Sequence, residues 1–216
     1  MDSVALLVIA KEPRPGRAKT RLTPPCSPAQ AARLAAASLE DTLDAVARTP
    51  AARKVLIFEG DPGRCRRRGF EVIAQRGRGL AERLAAAFQD VGGPALLVGM
   101  DTPQVTPELL EDGLDALRAP GVDAVLGPAL DGGYWSIGFV AAPKAAFDGV
   151  PMSSHSTCIR QRTRLRELGL RIYEQPRLRD VDAIEDAVAV AAECPESRFA
   201  EALAAIRPRG HKPVAA

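Results

Sequence analysis

Short unbroken apolar runs alternate along this chain with longer stretches in which Ala and Leu recur every three or four residues, the two periods of buried strand and amphipathic helix. Residues 4–10, 54–58, 70–74, 95–100 and 123–127 form runs too short for an ordinary helix, and β-branched residues are frequent in them. They predict strands, and the lack of polar alternation in 4–10 and 95–100 suits strands covered on both faces, as parallel strands are. Helix signals fall between them. Ser27-Pro28-Ala29-Gln30 spells a capping box with proline at the first helical position and predicts a helix to about Arg48. A second helix opens near Gly77, runs through Leu84 and Phe88, and closes at Gly92-Gly93; a third follows Thr106-Pro107 and reaches Leu117.

Beyond residue 127 the pattern changes. Pro128-Ala129-Leu130-Asp131-Gly132-Gly133 reads as a glycine turn into a strand that starts with Tyr134 and Trp135. A polar stretch around Ser153-Ser154-His155-Ser156-Thr157 prepares a helix over about 158–168, closed by Gly169, and residues 170–173 alternate like an edge strand. Arg179-Asp180-Val181-Asp182 precedes the last helices, beginning with 183–192. Strand and helix alternating over residues 4–126 imply an α/β fold of Rossmann-like type, with a mostly parallel central sheet and helices on both faces. The rest makes a small C-terminal α+β portion. Residues 1–206 read as one domain, and 207–216 as a flexible tail.

Composition narrows the function classes. The 216 residues carry 29 basic and 27 acidic side chains, a net charge of +2, so no global field exists for gripping a nucleic-acid polymer. Cys26, Cys65, Cys158 and Cys194 are far apart, with neither a Cys-x-x-Cys pair nor histidines at zinc spacing. The opening run lacks a basic leader, and no apolar run approaches the ~20 residues of a membrane span. The expectation is a cytoplasmic protein with reduced thiols.

Candidate chemistry gathers at the predicted strand ends. The run 95–100 delivers Asp101 to its end and Pro103 then breaks the pairing. Ligands of open α/β sheets sit at that edge, although a turn or a helix cap is an equally good use of the residue. After the first strand, Lys11, Arg14, Arg17, Lys19 and Arg21 place five cations in eleven positions, held open by Pro13, Pro15 and Gly16. Such a loop is either a solvated basic surface or a clamp for a di- or triphosphate. It is not a P-loop, because Pro13 and Ala18 stand where that motif needs glycine. Glu82 and Arg83 at the second helix start either read a nucleobase edge or form an exposed ion pair. Gly132, Gly133 and Tyr134 suit a wall for a sugar or base, but also an ordinary hairpin. His155 is a candidate acid or base or a helix-start contact. Asp180 and Asp182, at i and i+2 on extended backbone, face one way and suit a cation.

Val8-Ile9-Ala10-Lys11 with Pro15-Gly16-Arg17-Ala18-Lys19-Thr20-Arg21-Leu22, then Gly99-Met100-Asp101-Thr102-Pro103, then Gly127-Pro128-Ala129 with Asp131-Gly132-Gly133-Tyr134, resemble a bacterial family of GT-A-like glycosyltransferases. That family includes arsenosugar-biosynthesis and radical-SAM/selenodomain-associated types. The Lys19-Thr20-Arg21-Leu22 segment is also similar to phospholactate guanylyltransferases. The resemblance implies a GT-A fold, a divalent metal (Mg or Mn), a nucleotide sugar or NTP as donor, and a small-molecule acceptor. By the same match, Asp101 falls on the metal-binding aspartate and Asp182 or Asp180 on the second acidic position, while Lys11, Arg14, Lys19 and Arg21 fall on the phosphate loop. Asp131, Tyr134, His155 and the pair Ser153 and Ser154 are expected around the acceptor. Ala81 and Met152 depart from the family pattern, at the base contact and the acceptor pocket. Implied activities are sugar transfer or, alternatively, nucleotidyl transfer with release of pyrophosphate; a binding protein without turnover is the third reading.

Overall fold

The computed structural model describes residues 4–206, so the expected tail at 207–216 lies outside the described residues. Seven strands form one sheet: β1 (Ala5–Lys11), β2 (Arg53–Glu59), β3 (Phe70–Ala74), β4 (Ala95–Val98), β5 (Ala124–Pro128), β6 (Tyr134–Phe139) and β7 (Ile172–Glu174). Their order is β3-β2-β1-β4-β6-β5-β7. β1, β2, β3 and β4 run parallel, β6 is antiparallel to both β4 and β5, and β7 is parallel to β5 at the edge.

Side-chain alternation splits the core into two layers. Leu6, Val8, Leu56, Leu96 and Val98 point to the face covered by helices α1 (Pro28–Arg48) and α3 (Pro107–Arg118), meeting Leu39, Leu43, Leu110 and Leu114. Ala5, Leu7, Val55, Ile57 and Leu97 point the other way, toward α2 (Leu80–Val91) and α4 (Thr157–Glu167), where Phe88, Phe139 and Phe147 pack together. This is the period of two that a strand requires. The capping box at α1 forms as its sequence predicts, with Ser27 Oγ accepting from Gln30 N at 3.2 Å and Gln30 Oε1 accepting from Ser27 N at 2.7 Å.

A third cluster joins the chain's two ends. Helices α5 (Ile184–Glu193) and α6 (Arg198–Ala204) lay Ala187, Val190 and Phe199 against Leu22, Ala31 and Leu34, with Val181 fully buried among them. The C-terminal α+β portion is thus continuous with the rest, since β7 extends the same sheet and α6 packs on α1. No helix among the described residues is long and apolar enough to cross a membrane.

The expected strand at 95–100 is shorter than its apolar run. Pairing ends once Gly99 N donates to the Trp135 carbonyl (3.0 Å), and Met100 leaves the ladder with its carbonyl accepting from Ser38 Oγ at 2.7 Å. The ladder therefore ends at Gly99, and the chain bends at Met100 and Asp101.

Candidate active site

The carboxyl ends of β1, β4 and β5 and the start of β6 share one edge of the sheet. Strand order reverses there between β1 and β4, the position at which open α/β sheets leave a crevice. At that edge the turn between β5 and β6 folds as a hairpin, with Ala129 N donating to the Gly133 carbonyl at 2.9 Å. Gly132 holds φ at +90° with its α-carbon packed flat on the backbone of His155, where any added methyl would collide with the His155 carbonyl. The Gly132 carbonyl in turn accepts from Cys158 N at 2.7 Å, which ties the turn to the start of α4. Asp131, at the tip, accepts from Gly133 N at 2.6 Å and is exposed.

A second segment runs beside that turn. Leu178 N donates to the Pro128 carbonyl (3.1 Å), and Leu130 N donates to the Leu178 carbonyl (2.9 Å). From there alternation does the placing: Val181 goes into the core of α5 and α6, and Asp180 and Asp182 are left on the opposite side of the backbone. One carboxylate oxygen from each of Asp131, Asp180 and Asp182 lies within 4.8 Å of the others. Burial, together with the neighbouring Asp131 and Asp182 charges, pushes the Asp180 carboxyl from its ordinary 3.8 up to about 6, against the pull of its own backbone amide and of Lys19. Three hard oxygen donors with a charge cost of this kind fit Mg or Mn.

Asp101 adjoins that cluster through Val181, the residue between Asp180 and Asp182. Its Oδ1 takes the Lys19 ammonium at 2.6 Å, and the Lys19 side chain is only 6% exposed. The same ammonium donates to the Val181 carbonyl, and Val181 N donates to the Asp101 carbonyl at 3.0 Å. The structure brings Asp131 to Asp180 and Asp182 and pairs Asp101 with Lys19, beside the residue that separates Asp180 from Asp182. Lys19 is likewise committed within the protein rather than displayed on the loop surface. It adopts a left-handed conformation at φ 49° as the chain enters a single 3-10 turn, Thr20–Leu22, whose Leu22 is buried in the third core cluster.

The remaining loop cations divide. Arg14 pairs with Glu12 at 2.6 Å and Arg21 with Asp182, both on exposed side chains. Lys11 and Arg17 are exposed and have no ion-pair partner among the described residues. Gly16, at φ +74°, makes the turn in which Arg17 N and Ala18 N both reach the Arg14 carbonyl. At the start of α2 both expected base-reading residues have partners inside the protein. Glu82 accepts from Arg78 N at 2.9 Å, while Arg83 pairs with Glu59 and donates to the Gly77 carbonyl at 3.3 Å. These contacts brace the glycine loop at the start of α2.

On the opposite rim, Ser153 has φ +58° and Ser154 Oγ contacts Ser156 Oγ at 3.1 Å. His155 is exposed, and its backbone rather than its imidazole meets Gly132. Burial raises the Tyr134 phenol well above its ordinary value; its hydroxyl donates to Met152 Sδ at 3.8 Å, so Tyr134 is a neutral wall. Sequence reasoning missed the Lys19–Asp101 pair and the place of Asp131 in the carboxylate cluster. It also missed Gln75, whose amide ties the Ala10 carbonyl (2.7 Å) to that of Ile57 (3.2 Å) at two strand ends. No spacing in the chain signals any of the three.

The α/β fold with this sheet is one that the chain shares with several solved structures. The chain belongs to the bacterial family described as "Uncharacterized protein conserved in bacteria (DUF2064)", which matches over residues 34–154. Among solved structures it is similar to a proposed nucleotide-diphospho-sugar transferase from Desulfovibrio desulfuricans G20, at 28% identity over 95% of both chains and a TM-score of 0.85. It shares its fold with a CMP:2-keto-3-deoxy-manno-octonic acid synthetase complexed with CTP, at 13% identity, 90% of this chain, 99% of that one and a TM-score of 0.61. The same holds for Rv0371c of Mycobacterium tuberculosis H37Rv in complex with manganese, at 18% identity, 87% of this chain, 98% of that one and a TM-score of 0.51. Comparison with curated proteins finds no match.

Proposed function

We propose that this protein is a metal-dependent transferase acting on a nucleotide-activated donor, and that it moves a sugar from a nucleotide sugar to a small acceptor. The observation that carries the reading is the meeting of Asp131, Asp180 and Asp182 within 4.8 Å at the carboxyl edge of the sheet, beside the basic loop. These three would hold Mg or Mn. The cation, when bound, neutralises phosphate oxygens and stabilises the departing nucleoside diphosphate. Likeness to the Desulfovibrio protein and the manganese named for the mycobacterial structure support the reading. Lys11 and Arg17, around the turn at Gly16, face the donor phosphates, with the exposed Arg14 and Arg21 beside them paired to Glu12 and Asp182. The acceptor lies along Gly132, Gly133, Tyr134, Ser153 and Ser154, with His155 as the group that takes its proton.

Charge accounting favours sugar transfer. Of the five loop cations, Arg14, Lys19 and Arg21 already face a carboxylate of this chain, which leaves Lys11 and Arg17. That supply suits a diphosphate better than a triphosphate. Nucleotidyl transfer is the second reading, supported by the exposed Arg14–Glu12 pair, whose guanidinium a third phosphate would compete for. The test is incubation with Mn or Mg and panels of nucleotide sugars and NTPs, following nucleoside diphosphate, free sugar and pyrophosphate. Nucleoside diphosphate release that depends on acceptor supports sugar transfer. Pyrophosphate release with an acceptor overturns it in favour of the second reading, and nucleotide binding without turnover across the panel leaves a binding protein.

A further inference from the structure

Charge is divided along the carboxyl edge of the sheet. The clustered carboxylates lie on the side of β5 and β6, whereas the loops after β1, β2 and β3 carry Lys11, Arg17, Arg64, Arg66, Arg68 and Arg78, all exposed and without an ion-pair partner among the described residues. Of the acids nearby, Glu12 and Glu59 are already paired with Arg14 and Arg83, which leaves Asp61 and Glu82. Lys11 and Arg17 serve the donor phosphates in the reading above, and the four arginines are surplus to that task. The loop after β2 is folded so that it displays its share. Cys65 packs against the first core cluster and Arg67 turns in to Glu40 (3.0 Å) and Asp44 (3.6 Å), so Arg64, Arg66 and Arg68, at alternate positions, are left on the outside. Glu12 ties this loop to the basic loop after β1, since its Oε2 accepts from Asp61 N at 3.1 Å while it pairs with Arg14. Leu80, 42% exposed, stands two residues after Arg78.

We propose that this surface docks the protein on an anionic lipid bilayer, with Arg64, Arg66 and Arg68 against the headgroups and Leu80 dipping between them. The proposal goes beyond the transfer reaction and does not depend on it. What the surface lacks selects a bilayer over other polyanions. Single-stranded nucleic acid is held by stacking on exposed aromatic rings, and Tyr173, the exposed aromatic residue among those described, lies on β7 at the far edge of the sheet. A protein partner takes large anchors at the centre of its interface, and Leu80 is the one large exposed apolar side chain on these loops among the described residues. A headgroup layer requires neither stacking nor a shaped pocket. Its field attracts each nearby cation separately, and a single aliphatic side chain adds a shallow apolar contact. The net charge of +2 conceals this surface because the surplus is local.

The experiment is flotation of the full chain with vesicles of phosphatidylcholine, alone or with about one third phosphatidylglycerol, at about 0.15 M salt, with folding checked by circular dichroism. The protein floats with the anionic vesicles, does not float with phosphatidylcholine alone, and is released as salt rises to about 1 M. Replacing Arg64, Arg66 and Arg68 together by serine weakens binding on the order of 100-fold, about 5-fold for each arginine. Leu80→Ser gives a smaller loss. Lys144→Ser with Arg166→Ser, which removes two exposed cations from the opposite end of the molecule, leaves binding unchanged. The proposal is overturned by the absence of flotation with anionic vesicles, by equal flotation with phosphatidylcholine, by a triple variant that floats like wild type, or by an equal loss from the control pair. An oligouridylate that binds at this salt while vesicles do not makes the partner a nucleic acid and overturns it as well. Should the triple variant not fold, the single substitutions Arg64→Ser, Arg66→Ser and Arg68→Ser still decide. Release of nucleoside diphosphate is measured without vesicles, so a failure of the transferase reading and a failure of this one are seen separately.

Discussion

The end of β4 and the turn between β5 and β6 each offer one aspartate to the same edge of the sheet, and the two are used differently. Asp101 follows an apolar run and a bend, the position at which a ligand-binding carboxylate is usually sought, yet a buried lysine occupies it. Asp131 follows an ordinary hairpin signal and joins Asp180 and Asp182. What separates them is the sign of the nearest fixed charge. Asp101 faces an ammonium, while burial, with the Asp131 and Asp182 charges added to it, raises the Asp180 carboxyl to about 6.

The largest effect expected from this contrast is on metal binding. Asp180→Asn and Asp182→Asn each reduce Mn affinity by ~100-fold or more and Asp131→Asn by ~10-fold or more, with the fold retained, as titration calorimetry would show. Equal losses from Asp101→Asn and Asp131→Asn would erase the distinction between the two regions.

Next comes the pH dependence. The folded carboxyl of Asp180 has its value raised from 3.8 to about 6, so the folded state holds a proton that the unfolded chain releases between those limits. The charge cost is absent below about 3.8, grows as the pH rises to about 6, and is fully present above it. The metal-free protein should therefore lose stability from pH 4 to 6, and Asp180→Asn should flatten that part of the profile in urea titrations. Mn, which needs the ionised form, should bind progressively more weakly below about pH 6.

Glycines give a sharper structural comparison. Gly132→Ala places a methyl against the His155 backbone at a left-handed position and should cost about 2 kcal/mol or more by chemical denaturation. Gly99→Ala meets only the Trp135 carbonyl oxygen, 4.0 Å away, and should be neutral or stabilise by up to about 1 kcal/mol. The smallest expected change is in His155→Ala, which should leave both stability and Mn affinity within error, since only the backbone of His155 supports the turn. A large loss in either quantity would mean that the imidazole helps hold the carboxylates.

Much of this architecture is written in local pattern. The runs that become β1 to β5 are legible because buried parallel strands need unbroken apolar residues, and the caps of α1 and α3 because their Ser27 and Thr106 side chains bond within the first turn. The common face of Asp180 and Asp182 follows from strand alternation alone. Partner choice across long separations is not legible. Lys19 is 82 positions from Asp101 and 162 from Val181, and nothing in a basic loop says which of its cations will be drawn inside. Glu82 and Arg83 look free for a ligand because their partners, Arg78 N and Glu59, are set by how the glycine loop closes over β2. The place of Asp131 needed β6 to insert antiparallel between β4 and β5, an order that periodicity does not encode.

The burial of Val181 also bears on how the chain can be cut. A fragment ending after β7 would contain every strand of the sheet and would lack two of the three carboxylates. One ending just past Asp182 would contain all three, but the wall that seats the residue between them, built by Ala187, Val190 and Phe199, would be gone. The smallest piece worth expressing for any metal or nucleotide assay therefore reaches through α6, although the family match stops at residue 154.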